Sequence, residues 1–399
     1  MSANLLIRNV RPMAGAAADI LITDGRIARI AAAIAPPAGV AVEEGRGDIV
    51  LPGLVEAHTH LDKSLWGLPW YTNAVGPKLL DKIDNERTSK RRLGIEPYRQ
   101  SARQTIQSSL MGSTHIRSHV DVDTEHGLCG IEGVMTMRAE YRAIIDIEMV
   151  AFPQSGLLRR PGTLELMDRA MRAGAEVVGG LDPCAIDRDP KGHLDAIFAL
   201  AQKHARPLDI HLHEPGEMGA FSSDLICERT RALGMQGKVT ISHAFCLGSP
   251  DRDLVDPLIA QLADLDIAIM TTGPASRPAP PVKRLLEAGI RVCAGSDGIR
   301  DTWSPYGNAD MLERAMLIGL RNNFRRDDEM RLALDVCTLQ GAKVMNLDGY
   351  GVGQGCKADL LLVPGETLAE VVVTRSPRRR VIKAGRIVAR DGISIMAQA

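Results

Sequence analysis

The stretch Asp48-Ile49-Val50-Leu51-Pro52-Gly53-Leu54-Val55-Glu56-Ala57-His58-Thr59-His60 decides the fold. It is largely apolar on both faces of an extended chain until it ends in two imidazoles two residues apart. Extended runs without polar alternation are buried on both sides, the pattern of parallel strands covered by helices. Seven similar runs follow, at 114–122, 145–152, 176–181, 208–213, 239–245, 267–272 and 291–297. Helical stretches separate them; Leu194, Ile197, Phe198 and Ala201 share one face of such a helix. Eight β/α units predict an α/β fold, a (β/α)8 TIM barrel, with a doubly wound open sheet as the alternative.

The flanks read differently. Near the N-terminus, Leu5-Leu6-Ile7, Asp19-Ile20-Leu21-Ile22 and Arg26-Ile27-Ala28-Arg29-Ile30 are short strands, the last two joined by Asp24-Gly25. Near the C-terminus, residues 359–363, Val371-Val372-Val373 and 380–383 read as strands, and Ala384-Gly385 turns the chain into Arg386-Ile387-Val388. Asp-Gly between β-rich runs is a hairpin signal. The two turns look alike, as if both ends contribute matching hairpins to one small sheet; strands of two unrelated sheets are the alternative.

Composition excludes several functions. The 399 residues carry a net charge of −1, so no basic surface for nucleic acid or anionic lipid is expected. Arg378-Arg379-Arg380 reads as a solvated turn. Aromatics are 3% of the chain, too few for a stacking platform for single strands. The seven cysteines show no C-x-x-C spacing, which indicates reduced thiols and a cytoplasmic protein. Neither a signal peptide nor an apolar run of about 20 residues for a membrane helix is evident.

Barrel chemistry sits at the C-terminal strand ends. The first run ends in His58-Thr59-His60, the fifth in His211-Leu212-His213-Glu214, the sixth contains Ser242-His243, and the eighth ends in Gly295-Ser296-Asp297. In a strand, residues i and i+2 face the same side. Neutral imidazoles with one carboxylate suit zinc or ferrous iron and leave a position for water, which a divalent cation ionises near neutral pH. The alternative is a set of hydrogen-bonded polar strand ends without a metal. By alternation His213 points away from His211, toward the barrel exterior or into a layer behind the ligands. His119 and Asp121 end the second run, where pocket lining and structural hydrogen bonding are both open. Trp66, Trp70 and Trp303 follow strand ends one and eight, as stacking surfaces for a flat ring or as anchors of a lid. The signatures H-E-x-x-H, P-C-x-x-C and G-x-S-x-G are missing. Gly351, Gly353 and Gly355 read as a turn.

Residues 56–64, Ser118-His119-Val120-Asp121-Val122-Asp123, residues 150–156, Ile210–Glu214, Ser242-His243-Ala244 and Gly295-Ser296-Asp297 with Asp301-Thr302-Trp303 resemble the cytosine deaminase branch of the amidohydrolase superfamily, including its triazine-degrading members. The resemblance runs nearly end to end. It implies a catalytic barrel over residues 51–346 and a small β-sandwich built from 1–50 plus 347–399. It further implies one divalent metal ion per chain (Zn2+ or Fe2+) held by His58, His60, His211 and Asp297. Glu214 would shuttle a proton to a ring nitrogen. His243 would stabilise the reacting oxygen, and Asp297 would also take the proton of the attacking water. Gln154 and Lys63 would contact the substrate, with Trp303 beside them. The fourth run contains no lysine to bridge two metals, which favours one. The family's cytosine deaminases carry an acid directly after the metal aspartate, where this chain has Gly298, so cytosine itself is disfavoured.

The implied activity is hydrolytic removal of an amine or alkylamine from a small-molecule nitrogen heterocycle. Opening of a ring amide, as in dihydropyrimidine hydrolysis, is one alternative, and a non-catalytic binding barrel another. Homo-oligomers are common in the superfamily and are expected here by analogy.

Overall fold

The computed structural model describes residues 4–395. Its centre is eight parallel strands: β1 (Leu54–Thr59), β2 (Ser113–Asp121), β3 (Asp146–Phe152), β4 (Val177–Leu181), β5 (Leu208–His211), β6 (Val239–Ser242), β7 (Ala268–Thr271) and β8 (Val292–Ala294). They pair in chain order. The last returns to the first: the Asp297 amide donates to the His58 carbonyl at 2.9 Å, and Thr59 bridges Asp297. The seam of this nearly closed barrel therefore lies beside the His-x-His pair.

The run 48–60 divides at Gly53. Ile49–Pro52 pairs antiparallel with Leu360–Val363 in the small sheet, and the chain enters the barrel only from Leu54. Of the helices between strands, Pro190–His204 shows the sequence logic. Asp189 caps it by accepting the Gly192 amide at 2.8 Å, and Leu194, Ile197, Phe198 and Ala201 are buried.

Both chain ends share one small sheet. Strand Leu5–Pro12 joins its halves, pairing with Ala18–Thr23 and Ala41–Glu44 along its first part and with Ile49–Pro52 at its end. The matching hairpins are present. Asp24 and Gly25 at one turn, and Ala384 and Gly385 at the other, all have positive φ, as the right-handed twist of two-residue hairpins requires. Ile7, Ile20, Ile27, Leu360 and Ile382 enter one apolar core.

Two expectations are corrected. Val371-Val372-Val373 is not a strand but lies in helix Leu368–Thr374, capped by Thr367, which accepts the Glu370 amide at 3.1 Å. Packing of Val371 and Val372 and a good cap override the β-preference of three valines. Arg378-Arg379-Arg380 is not a solvated turn. Arg378 is buried against Asp310 and the Met111 carbonyl, while Arg379 pairs with Asp48 and Arg380 with Glu43.

Lys383 ties the small sheet to the base of the barrel. Its ammonium lies 2.7 Å from Asp146 on β3 and 2.8 Å from buried Asp359, beside His115. This lysine already neutralises the one His-Asp-Asp grouping at the barrel's far end. Lys383→Ala leaves Asp359 buried and uncompensated, so a loss of about 3–5 kcal/mol is expected in urea unfolding. Adding Asp359→Asn should recover much of it; an unchanged midpoint for the single variant refutes the role.

Candidate metal and catalytic site

His58 lies at the end of β1 and His60 directly follows it, His211 ends β5, His243 follows β6, and Asp297 follows β8. Ligand atoms of His58, His211, His243 and Asp297 all lie within 4.8 Å of one another. His60 Nε2 is 3.1 Å from Asp297 Oδ1, and His58 Nε2 is 3.7 Å from it. The group within mutual reach therefore contains three of the four expected ligand residues, with His243 in place of His60, which approaches Asp297 alone.

The surrounding hydrogen bonds aim the lone pairs. Ser242 Oγ donates to Asp209 at 2.6 Å, so its oxygen accepts from His58 Nδ1 at 3.1 Å. Asp209 is held by Arg117 at 3.0 Å. His60 Nδ1 donates to the His119 carbonyl at 2.9 Å. Both Nε2 lone pairs therefore face the Asp297 carboxylate, an arrangement that repels itself unless a positive charge lies between. The buried nitrogens His58 Nε2, His211 Nδ1 and Nε2, and His243 Nε2 have no hydrogen-bond partner. Unpartnered ring nitrogens beside a carboxylate fit a divalent cation; His58 and His60 are oriented through their other ring nitrogen, whereas His211 has no such partner.

Electrostatics agree. Burial lowers His60 to about 4, with the Lys63 ammonium adding to it, so its imidazole is neutral at pH 7. His211 and His243 are pushed well below the ordinary histidine value, first by burial and then by neighbouring imidazoles. Neutral imidazoles and an ionised carboxylate are the states that ligate metal. Backbone strain collects here too: Asp182, His243 and Asp297 have φ of 34°, 72° and 63°. Such conformations cost about 1–3 kcal/mol each and persist where the surroundings impose them.

A cavity of about 690 Å³ opens above this point. His60, His211, Asp297, Lys63, Gln154 and Trp303 line it. The Lys63 ammonium lies 3.1 Å from Asp121 and 3.2 Å from Glu86, and donates to Gln154 Oε1. An ammonium only donates, so the Gln154 amide is oriented with its NH2 away from Lys63. Glu86 also accepts from the Trp303 indole. It sits on helix Leu79–Arg92, where Ile83, Glu86 and Lys90 face inward. Burial raises Glu86 to about 8, opposed by Lys63. Sequence reading missed Glu86 because a polar helix face looks solvated. Phe152, stacked on His211 at 4.0 Å and lining the cavity, was missed as an ordinary core aromatic.

Glu214 and His213 both follow β5. The Glu214 carboxylate accepts from the backbone amides of Cys184 at 2.8 Å and Ala185 at 2.7 Å, and from the Ser222 hydroxyl. It is not among the residues lining the cavity, whereas His213 is. His213 does not point outward: the chain leaves the strand after His211, and alternation ends there. Its Nδ1 lies 2.7 Å from Asp182, which also accepts the His213 amide at 2.6 Å. Burial alone would lower His213, but Asp182 outweighs it and raises the imidazole. Trp66 and Trp70 line no part of this cavity; each lies 5.2 Å from the Arg300 guanidinium.

A barrel with neutral imidazoles and an ionised carboxylate converging under a cavity of mixed polar and apolar lining is the scaffold of a hydrolase. A model of the amidohydrolase family matches residues 111–389, and the chain belongs to that family. N-isopropylammelide isopropyl amidohydrolase of Pseudomonas sp. strain ADP is 32% identical, with 94% of each chain covered. A solved N-isopropylammelide isopropylaminohydrolase from Burkholderia multivorans is 51% identical, with a TM-score of 0.96 over 99% of this chain and 100% of that one. A 5-methylcytosine deaminase from Klebsiella pneumoniae is 28% identical, with a TM-score of 0.85 over 98% and 99%. Among the described residues no helix is long and apolar enough to cross a membrane.

Proposed function

We propose that the chain hydrolyses an exocyclic C–N bond on a nitrogen heterocycle of triazine or pyrimidine type, releasing an alkylamine or ammonia. The observation that carries this reading is the placement of Lys63, Gln154, Trp303 and His213 around one cavity whose floor is the histidine–aspartate cluster. The full-length similarity to proteins named for N-isopropylammelide and 5-methylcytosine supports the choice of ring.

His58, His60, His211 and Asp297 would hold one divalent cation, zinc or ferrous iron, with His243 beside them. When bound, it supplies a water that is nucleophilic at neutral pH. The remaining roles belong to the chain. Gln154 turns its amide NH2 to the cavity and donates to a ring acceptor, and Lys63 fixes that orientation. Trp303 and Phe152 give flat apolar walls for the ring. Asp297 accepts the proton of the attacking water. His213, with Nδ1 held by Asp182, presents Nε2 to the cavity and protonates the departing amine. Water adds to the ring carbon, the C–N bond breaks, and an oxo ring and a free amine leave.

The test is amine release from N-isopropylammelide and from cytosine-type rings, with metal content measured on the same protein. Isopropylamine or ammonia in proportion to bound metal is expected. Metal-loaded protein that is inert on both ring types, yet opens a dihydropyrimidine, overturns the reading.

A further inference from the structure

Asp301 is buried, yet it is among the residues that line the cavity. One oxygen, Oδ1, accepts the Trp303 amide at 2.8 Å and the Ser304 amide at 2.9 Å. The Asp301 amide in turn donates to the Ser304 carbonyl at 3.0 Å, so the side chain is fixed in a tight turn. Oδ2 has no hydrogen-bond donor among the described residues. Burial raises the carboxyl, opposed by the Lys63 ammonium and the two amides.

Gly298 creates the room for this oxygen. A Cβ at 298 would lie 1.9 Å from Asp301 Oδ2 and 2.7 Å from its Cγ. No other residue at 298 leaves the carboxylate where it is, and Gly298 lines the same cavity. The cavity wall therefore offers two opposite polarities. Gln154, turned by Lys63, presents a donor; Asp301 Oδ2 presents an acceptor that no described residue uses.

We propose that Asp301 is a specificity-determining residue that accepts a hydrogen bond from an N–H of the substrate ring, so the site selects oxo-heterocycles carrying both C=O and N–H. The inference rests on the proposed function for its kind of ligand and narrows it: rings with alkylated nitrogens are excluded. A free acceptor left unpaired in the cavity penalises a ring that brings no donor.

Equilibrium binding to the metal-loaded protein tests this without turnover. The probes are cyanuric acid, a triazine with ring N–H and C=O groups, and 1,3,5-trimethyl isocyanurate, which has no N–H. Asp301→Asn keeps the Oδ1 acceptor for the turn but replaces Oδ2 by a donor. Its Kd for cyanuric acid should weaken about 10- to 100-fold, as for a lost hydrogen bond to a charged group, while the trimethyl ring changes less than about twofold. Gly298→Ala, which drives the carboxylate from its position, should act in the same direction. Unchanged cyanuric acid binding in Asp301→Asn, or equal losses for both rings, overturns the proposal. Amine release by the wild type is scored separately. If it is absent while the selective loss is seen, the proposed reaction falls and the role of Asp301 stands.

Discussion

Asp297→Asn is expected to yield a folded protein without metal and without activity. The carboxylate is the one anionic group at the point where the Nε2 lone pairs of His58 and His60 converge. Asparagine has the same shape but no charge, and its NH2 can turn toward those lone pairs and satisfy them. The fold therefore has no reason to fail, and the barrel seam keeps its backbone bond from the residue 297 amide to His58. On the proposed reading the cation would lose its one negative ligand, and the attacking water its proton acceptor. Metal per chain should fall from about one to near zero, and kcat/KM by on the order of 10⁴ or more. Circular dichroism, metal analysis and amine release on one preparation decide it. A variant that retains full metal and a tenth of the activity removes Asp297 from both roles.

The second large effect separates His213 from Glu214. His213→Asn should lower kcat by about 10² to 10⁴ with metal content unchanged, the range for loss of a positioned acid. Asp182→Asn should fall in the same direction by less, because the amide still reaches His213 Nδ1 but no longer favours the imidazolium. The double variant should be little worse than His213→Asn alone, as for residues that act as one unit. Glu214→Gln should be mild by comparison. Its Oε1 can still accept from Cys184 and Ala185, and its NH2 can meet the Ser222 oxygen. The reverse order, with Glu214→Gln severe and His213→Asn near wild type, returns the proton transfer to Glu214.

The molecule shows why some of this was legible in the chain. Buried parallel strands must be apolar on both faces, and their ends must carry the chemistry, so eight runs and their terminal His and Asp residues locate the barrel and its rim. Two-residue hairpins need positive φ, so Asp24-Gly25 and Ala384-Gly385 mark the small sheet at both ends. These are local rules, and a sequence states them directly.

What tertiary structure alone decided is where polar side chains go once strands end. Alternation predicts the direction of His213 only while the strand lasts, and beyond the strand end His213 reaches the cavity wall. Glu86 meets Lys63 and Trp303 because its helix packs beside them, which no spacing encodes. Val371-Val372-Val373 became a helix because a cap and a packed face outweigh propensity. The free oxygen of Asp301 exists because Gly298 has no Cβ, a contact set by the path of one loop.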